Sequence, residues 1–385
     1  MALFEYEVEA QSGAARAGRY ATAHGDFTTP VFMPVGTHAT VKGITSAGLR
    51  SLDAQVVLAN TYHLYMRPGT DVVEEAGGVQ AFMNYDGPML TDSGGFQLFS
   101  LDHMMKTDAD GVSFHARDYD GSKHRWTPES NMEIQERLGA DIVMQLDQCV
   151  GYPAEKSTVA ASTKLSWEWA ERCLAAHKRA DQALFGIVQG GMHLDLRLES
   201  VRHLLAIEQA SVEAGGRRFD GFGIGGYSVG EEHDVMFETL GDVVAALPQD
   251  RPRYLMGVGN PTTLLRAVGV GIDMFDCVMP TRNGRHGVAF TRFGQVNLRN
   301  ARHADDPRPL DEESPWPAAR NYARAYLHHL VKAGETLGAM LLSEINVAYY
   351  QFLMQGIRDA IALGKFDEFY QRTREDWARG DIAPR

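Results

Sequence analysis

Short apolar runs recur along the chain, and each ends at a glycine or a polar residue. There are eight such runs, at residues 30–34, 56–59, 88–90, 142–146, 184–188, 221–224, 253–256 and 272–275. Amphipathic helical patterns separate most of them, at residues 162–177, 194–213, 231–246 and 261–268. Strands that alternate with helices predict an α/β fold, and eight repeats predict a (β/α)8 TIM barrel. A doubly wound open sheet is the alternative that a strand count leaves open.

Two aspartates follow apolar runs directly. Asp92 stands in Thr91-Asp92-Ser93-Gly94-Gly95, and Asp276 follows the run that ends at Phe275. A lone aspartate in such a place often caps the next helix. In a (β/α)8 barrel, however, the carboxyl ends of all strands meet at one mouth. The pattern then places Asp92, Asp147, Gln189, Gly226 and Asp276 together, and favours an acid/base or nucleophile pair.

Composition indicates an ordinary enzyme of the cytoplasm. The chain has 385 residues, 44% of them hydrophobic and 23% charged, which suffices for a large core. No apolar run reaches membrane-spanning length, and the acidic start lacks a signal-peptide core. The three cysteines are far apart and lack metal-type spacing, which predicts a reducing compartment without a disulfide framework.

The charge is unevenly distributed. The net charge of −13 argues against nucleic acid as a partner. Residues 277–304, by contrast, contain no Asp or Glu but hold five arginines, Arg282, Arg285, Arg292, Arg299 and Arg302. A basic stretch beside a candidate catalytic aspartate would bind a phosphate backbone locally, and an ordinary solvated face is the alternative.

The barrel pattern stops before the chain does. Residues 312–317 interrupt it with Ser314-Pro315-Trp316-Pro317, and residues 318–333 and 348–363 then form amphipathic helical patterns. We therefore predict a catalytic barrel with an N-terminal extension over residues 1–304. A small helical appendage with closing helices follows over residues 305–385.

Several long motifs resemble the bacterial tRNA-guanine transglycosylase (queuine tRNA-ribosyltransferase) family. They are Thr29-Pro30-Val31-Phe32-Met33-Pro34-Val35-Gly36-Thr37, Asn60-Thr61-Tyr62-His63-Leu64, Thr91-Asp92-Ser93-Gly94-Gly95-Phe96-Gln97, Tyr254-Leu255-Met256-Gly257-Val258-Gly259 and Phe275-Asp276-Cys277-Val278-Met279-Pro280-Thr281-Arg282-Asn283. The resemblance extends from about residue 4 to about residue 370. It implies a (β/α)8 barrel that replaces the wobble guanine of tRNAs with GUN anticodons by 7-aminomethyl-7-deazaguanine, a step of queuosine biosynthesis. It also implies a homodimer.

The resemblance assigns roles residue by residue. Asp276 would be the nucleophile that attacks the ribose, and Asp92 would transfer protons to and from the base. The expected base-binding residues are Ser93, Gly94, Gly95, Phe96, Asp147, Gln189, Gly225, Gly226 and Met256. The expected tRNA-binding residues are Gly257, Val258, Gly259, Asn260, Pro261, Thr262, Thr263, Thr281, Arg282, Asn283, Gly284 and Arg285.

Two features depart from the family pattern. The family holds a structural zinc with Cys-x-Cys-x-x-Cys and a later His, but those positions are Ser314, Trp316, Ala319 and Ile345 here. We therefore expect no metal cofactor, and predict that Trp316 packing and the flanking prolines stabilise this region. The second departure is Tyr227-Ser228, where bacterial relatives usually carry Leu-Ala. It lies near the expected position of the 7-substituent, so the preferred base stays open.

Three other functions remain compatible with the sequence. One is an enzyme that inserts a deazapurine into DNA or at another tRNA site. Another is a non-catalytic partner subunit, although such partners lack the nucleophile that Asp276 supplies here. The third is a barrel that acts on sugars or phosphates.

Overall fold

The structure is a computed structural model that describes residues 1–101, 105–231 and 233–383. Its strands, numbered along the chain, are β1 (Tyr6–Ser12), β2 (Ala15–Thr22), β3 (Gly25–Thr29), β4 (Val31–Gly36), β5 (Val57–Ala59), β6 (Met89–Thr91), β7 (Lys106–Asp108), β8 (Gly111–His115), β9 (Lys123–Trp126), β10 (Ile142–Met144), β11 (Ala183–Val188), β12 (Gly221–Ile224), β13 (Arg253–Leu255), β14 (Met274–Cys277), β15 (Val288–Thr291) and β16 (Gly294–Asn297).

The helices are numbered in the same way. They are α1 (Ser46–Ser51), α2 (Thr61–Met66), α3 (Thr70–Glu75), α4 (Val79–Met83), α5 (Gly95–Leu101), α6 (Pro128–Leu138), α7 (Lys156–Ala176), α8 (Leu194–Glu213), α9 (His233–Ala246), α10 (Pro261–Gly269), α11 (Met279–Arg285), α12 (Pro317–Asn321), α13 (Arg324–Ala333), α14 (Thr336–Ala362) and α15 (Phe366–Arg379).

Eight parallel strands close into a barrel in the order β4-β5-β6-β10-β11-β12-β13-β14, and β14 pairs with β4 to complete it. Each of the eight predicted apolar runs supplies one strand, so the predicted (β/α)8 barrel is confirmed and the open sheet is excluded. The strands are apolar on both faces because one face fills the barrel and the other supports the helices. Met33, Leu58, Met144, Ile187 and Met274 are among the residues that fill the barrel interior.

The N-terminal extension is an antiparallel sheet of β1, β2 and β3, whose Tyr20 ring packs on Phe185 of the barrel interior. Buried Asp273 precedes β14 and accepts hydrogen bonds from Tyr6 Oη at 2.9 Å and from Arg16 Nε at 2.8 Å. On the far side of the barrel, His24 Nδ1 lies 2.8 Å from Oδ1 of Asp141, which precedes β10. The sheet thus covers the amino ends of the strands and leaves the carboxyl ends as the accessible mouth.

The helices predicted between the barrel strands are confirmed apart from their exact ends, and those predicted after the last strand are only partly right. Helices α8 and α10 fall on their predicted patterns, α7 begins six residues earlier, at Lys156, and α9 begins at His233, with residue 232 of its prediction outside the described residues. The single helix predicted over 318–333 is wrong, because the chain is extended at Tyr322 and Ala323 between α12 and α13. Residue Ala323 there forms a β-bridge with Pro309.

The long helix α14 closes the ring of helices around the barrel. The sequence predicts this helix over residues 348–363, but α14 already begins at Thr336. Its first turn packs closely on α13, where Gly338 lies against Leu330. From α14, Gln351 Nε2 donates to Phe32 O at 3.1 Å, and Arg358 Nη1 donates to Pro30 O at 2.7 Å. The predicted division of the chain at residue 304 stays a prediction.

None of the helices in the described part of the chain combines the length and the apolar character that crossing a membrane requires.

Candidate active site

Asp276 lies in β14 at the mouth of the barrel and is half-buried. Its Oδ1 accepts two hydrogen bonds, from Tyr254 Oη at 2.6 Å and from Gly257 N at 2.7 Å. Among the described residues no hydrogen bond occupies Oδ2. Burial raises the pKa of Asp276, and these two donors act against that shift because they stabilise the carboxylate. The carboxylate is therefore held on one oxygen while the other is available.

Asp92 follows β6 directly and is held by the start of α2. Asn60 Nδ2 donates to its Oδ2 at 2.5 Å, and Thr61 N donates to its Oδ1 at 3.0 Å. Burial raises the pKa of Asp92 to about 7, the two donors work against the rise, and the nearby charge of Asp276 adds to it. A carboxyl group with a pKa near neutrality exchanges its proton readily at physiological pH. The structure therefore brings the two predicted catalytic carboxyl groups into one electrostatic environment.

Asp147 and Gln189 are buried neighbours at the same mouth. Gln189 Nε2 donates to Asp147 Oδ2 at 2.7 Å, and Ser93 Oγ donates to Oδ1 at 2.9 Å. Burial raises the pKa of Asp147, and both donors lower it. These polar side chains form a row of acceptors and donors suited to the edge of a heterocycle.

Glycines shape the wall of the site because side chains would not fit there. A Cβ at Gly95 would lie 2.6 Å from Asp147 O, and one at Gly94, where φ is +76°, would lie 2.7 Å from the Trp126 ring. At Gly226, φ is +69°, and a Cβ would collide with Gln189 Oε1. These positions permit a close approach of the backbone to the neighbouring groups of the site, which other residues exclude.

Phe96 and Met256 flank the mouth rather than fill the core. The Phe96 side chain is 49% exposed at the start of α5, although a ring of this size is normally buried. Met256 is partly buried beyond the end of β13 and packs against the barrel interior. An exposed aromatic ring beside buried polar groups is suited to stacking on a flat ligand.

The residues expected to bind RNA divide into two groups. Gly257, Thr262 and Arg282 are exposed, and Asn260, Asn283 and Arg285 are partly exposed. The remaining residues are buried and hold the loops in place; they are Val258, Gly259, Pro261, Thr263, Thr281 and Gly284. A Cβ at Gly284 would lie 2.6 Å from Ser343 N, so this glycine allows α11 to lie against α14.

Two of the five arginines in the basic stretch of residues 277–304 are already paired with carboxylates. Arg292 forms ion pairs with Asp311 and Glu313, and Arg302 lies 3.3 Å from Asp381. In the described part of the chain, Arg282, Arg285 and Arg299 form no such pairs. Burial and Arg282 lower the pKa of Arg285. Three of the five arginines thus remain available for an anionic partner.

Four residues of the site stand out in the sequence only as parts of motifs, or not at all. Tyr254, Asn60 and Thr61 hold the two candidate catalytic carboxyl groups. Tyr254 belongs to a motif that also contains Met256, whereas the motif of Asn60 and Thr61 contains no residue with an assigned role. Arg197 supports the glycine loops from α8 and carries no sequence signal beyond its place in a helical pattern. The role of such supporting donors can be recognised only in the folded structure, where the strand ends lie together.

The residues at the family's zinc positions do not fit a metal ion. Ala319 and Ile345 are buried in an apolar cluster of Leu310, Leu327, Leu330, Leu341 and Leu342, and Trp316 packs on it. In the described ranges, no three potential metal ligands lie together. Below this cluster, the buried Arg324 donates to Leu310 O at 2.7 Å and to Asp381 Oδ2 at 2.8 Å. The apolar cluster and the Arg324 guanidinium thus connect the segments that carry these residues.

Comparison with known proteins agrees with the geometry. The profile of the family described as queuine tRNA-ribosyltransferase matches residues 11–379. A queuine tRNA-ribosyltransferase of Agrobacterium fabrum is 50% identical over 382 residues, which cover 99% of each chain. One of Brucella melitensis is 51% identical over 380 residues, 98% of each chain, and one of Desulforamulus reducens is 50% identical over 365 residues, 95% of each. These matches, which extend over nearly the whole chain, show that it belongs to the queuine tRNA-ribosyltransferase family of enzymes.

Proposed function

We propose that this enzyme replaces the wobble guanine of tRNAs with GUN anticodons by a 7-deazaguanine, 7-aminomethyl-7-deazaguanine, as a step of queuosine biosynthesis in the cytoplasm. The observation that carries the proposal is the pair of carboxyl groups at the barrel mouth. In the part of the chain that the structure describes, Oδ2 of Asp276 accepts no hydrogen bond, and burial together with the charge of Asp276 raises the pKa of Asp92 to about 7. A nucleophile and a proton carrier in one site are what cleavage and re-formation of an N-glycosidic bond require.

The first half-reaction would form a ribosyl ester. Asp276 Oδ2 attacks C1′ of the wobble nucleoside, and the electrons of the bond between C1′ and the guanine nitrogen pass to the leaving base. Asp92, protonated near neutral pH, supplies the proton that the departing guanine takes up. The Tyr254 hydroxyl and the Gly257 N–H stabilise the ionised form of Asp276 against the effect of burial and align it for the attack.

The second half-reaction reverses these steps with a different base. Asp92, now ionised, takes the proton from the ring nitrogen of the incoming deazaguanine. That nitrogen attacks C1′ and releases the Asp276 carboxylate, so that the RNA backbone is never broken. Asp92 ends protonated and Asp276 ends ionised, which restores the starting state.

Base recognition would use the polar row next to the carboxyl pair. The Asp147 carboxylate accepts from the ring N–H and amino groups of a guanine-type edge, and Gln189 and the Gly226 N–H donate to its 6-oxo group. Because these groups are buried, a base that fails to pair with them leaves an unsatisfied group and is rejected. Phe96 and Met256 would hold the ring from its two faces.

The tRNA would approach the mouth across the exposed residues of the 257–263 loop and of α11. Arg282 and Arg285 stand on α11, which follows β14 and therefore Asp276 directly. Recognition of single-stranded loop bases, with the target base turned out of the stack, places the wobble nucleotide within reach of both carboxyl groups.

The decisive experiment is exchange of labelled guanine into an unmodified anticodon stem-loop with a GUN anticodon. We expect incorporation that depends on the wobble guanine, and none into a stem-loop with adenine at that position. Incorporation into duplex DNA or another tRNA position would favour a related deazapurine-inserting enzyme. Lack of any exchange would overturn the proposal in favour of a non-catalytic subunit or a sugar-directed barrel.

We further propose that the enzyme works as a homodimer and without structural zinc. The zinc proposal is supported by Ala319 and Ile345, which are 1% and 3% exposed within the apolar cluster and offer no ligand atom. The dimer proposal is supported by membership of the family alone.

A further inference from the structure

Arg197 is a fully buried guanidinium that connects two loops of the active site. It lies in the first turns of α8 and is 0% exposed. Its Nε donates to Gly191 O at 2.6 Å, and its Nη2 donates to Gly225 O at 3.0 Å. One acceptor belongs to the loop after β11, which carries Gln189, and the other belongs to the glycine pair after β12. A single side chain therefore fixes the relative position of both loops.

The charge of Arg197 is covered by an aromatic ring instead of a carboxylate. In the described ranges it forms no ion pair, and its Nη1 has no hydrogen-bond partner. The guanidinium carbon lies 3.4 Å from the centroid of the Tyr227 ring. Tyr227 is 3% exposed, and its hydroxyl is bonded to Thr239 Oγ1 of α9 at 2.6 Å. Burial of a cation without a directly paired carboxylate is costly, and the π-face and the more distant charge of Glu231 offset part of this cost.

The bond to Gly225 O also sets the orientation of a donor in the base site. In a planar trans peptide, the carbonyl of one residue and the N–H of the next point in opposite directions. Because Gly225 O points at Arg197 in the interior, the Gly226 N–H points to the opposite side of the peptide. Glycine has few restrictions on its dihedral angles, so this peptide would rotate easily without such an anchor.

We propose that Arg197 and Tyr227 form a positioning pair that holds the Gly226 N–H in place to recognise the 6-oxo group of the incoming base. This inference rests on the proposed function, since it assigns a role within the same base site. Tyr227 does not enter the base site; its ring acts from behind the loop, through Arg197. The pair therefore controls how tightly the base binds, whereas bond cleavage and tRNA docking depend on other residues.

The test uses Tyr227→Leu, Arg197→Lys and the control Thr239→Val in the full-length enzyme. Tyr227→Leu removes the π-face from Arg197, and we expect KM for guanine to rise about tenfold, the equivalent of losing a buried cation–π contact. Arg197→Lys keeps a charge but loses the fork that spans both carbonyls, and we expect a rise at least as large. Because the proposed contact affects base binding alone, kcat and the KM for the stem-loop should both stay within about twofold of the wild-type values.

Thr239→Val separates positioning from stability. It removes the hydrogen bond to the Tyr227 hydroxyl but leaves the ring over Arg197, so Tm should fall while KM for guanine stays unchanged. If wild-type enzyme exchanges guanine but Tyr227→Leu leaves its KM unchanged, the positioning pair is overturned. The pair is equally overturned if, in all three variants, kcat falls and both KM values rise in proportion to the decrease in Tm. If wild-type enzyme exchanges no base at all, the proposed function itself fails. Should Arg197→Lys not fold, Tyr227→Leu decides alone.

Discussion

The Tyr254 hydroxyl donates to Oδ1 of Asp276 over 2.6 Å, and this bond gives the two carboxyl groups of the site different surroundings. Tyr254 is buried in the barrel interior within β13, the strand that pairs with the strand of Asp276. Asp92 is held instead by an amide and a backbone N–H from α2. Burial raises the pKa of both carboxyl groups and the donors bonded to each act against the rise, but the charge of Asp276 adds to the rise at Asp92. A carboxyl group whose proton is retained by the charge of its neighbour suits a proton donor beside a nucleophile.

Tyr254→Phe should therefore move the acid limb of the pH–rate profile to higher pH. The hydrogen bond from Tyr254 lowers the pKa of Asp276, so its loss raises that pKa and the nucleophile becomes protonated at a higher pH. The measurement is kcat/KM for guanine exchange between pH 5 and 9. Tyr349→Phe, which changes a buried tyrosine bonded to Trp377 away from the mouth, is the control and should leave the profile in place.

Asp276→Asn should abolish exchange and leave stem-loop binding within about twofold, because the amide oxygen still accepts from Tyr254 and Gly257 but lacks nucleophilicity. A denaturing gel should show a covalent protein–RNA adduct for wild-type enzyme and none for the variant. Asp92→Asn is the matched comparison, since it removes the other carboxyl group. An adduct that persists in Asp276→Asn and disappears in Asp92→Asn would identify Asp92 as the nucleophile.

Asp92 should make the free energy of unfolding depend on pH. Its pKa is about 7 in the folded protein and near 3.8 ordinarily, so its stabilising contribution is complete below about pH 4 and is lost as pH rises through about 7. At about 1.4 kcal/mol for each pKa unit, the loss has an upper limit of about 4 kcal/mol. Urea unfolding at pH 5 and pH 8 should show a smaller difference for Asp92→Asn than for wild type. The exposed Asp26→Asn should retain the full difference, and an unchanged difference in Asp92→Asn would contradict the assignment.

The barrel and the position of Asp92 and Asp276 at its mouth were predictable from the sequence because both depend on local patterns. A parallel strand buried on two faces is a continuous apolar run, and Asp92 and Asp276 follow such runs directly. The strength of the two acids was not predictable, because it depends on Asn60, Thr61 and Tyr254 from other strand ends. The same holds for Arg197, whose helical pattern gives no indication that it reaches Gly225.

Arg282→Ala should weaken the use of tRNA without affecting the use of the free base. Arg282 is exposed on α11 and forms no ion pair in the described part of the chain. If it contacts a base, roughly 1–3 kcal/mol of discrimination is at stake. Arg292→Ala is the matched control from the same basic stretch, since Asp311 and Glu313 already neutralise Arg292. We expect KM for the stem-loop to rise only in Arg282→Ala. An equal loss on stem-loops with changed neighbouring bases would show that Arg282 contacts phosphate alone.

The C-terminal region shows where sequence patterns are insufficient. Helix α14 was predicted too short because Gly338 and Ser343 weaken the local helical signal, whereas burial against α11 and α13 determines the structure. The break between α12 and α13 follows from a bridge to Pro309, which is a contact across 14 residues. Tertiary contacts of this kind override propensity and leave little trace in the sequence.

The enzyme should fold and act without zinc. Ser314, Trp316, Ala319 and Ile345 occupy the positions of the family's ligands, and Ala319 and Ile345 are buried among leucines. Protein treated with a chelator should contain no stoichiometric zinc by metal analysis, and its Tm and exchange rate should equal those of untreated protein. One tightly held zinc per chain would contradict the prediction.

Apolar packing should carry the stability that zinc supplies elsewhere, and Ile345→Ala tests this directly. Ile345 is 3% exposed, so its truncation should cost about 2–5 kcal/mol of unfolding free energy. Trp316 is only half-buried and its ring nitrogen has no partner in the described ranges, so Trp316→Ala should cost less than truncation of a fully buried tryptophan. Leu337→Ala, at a site 40% exposed on the same helix as Ile345, is the control and should change stability little. If Ile345→Ala were as mild as Leu337→Ala, the apolar cluster would not be what holds this region, because a buried side chain that stabilises a cluster leaves a cavity when it is removed.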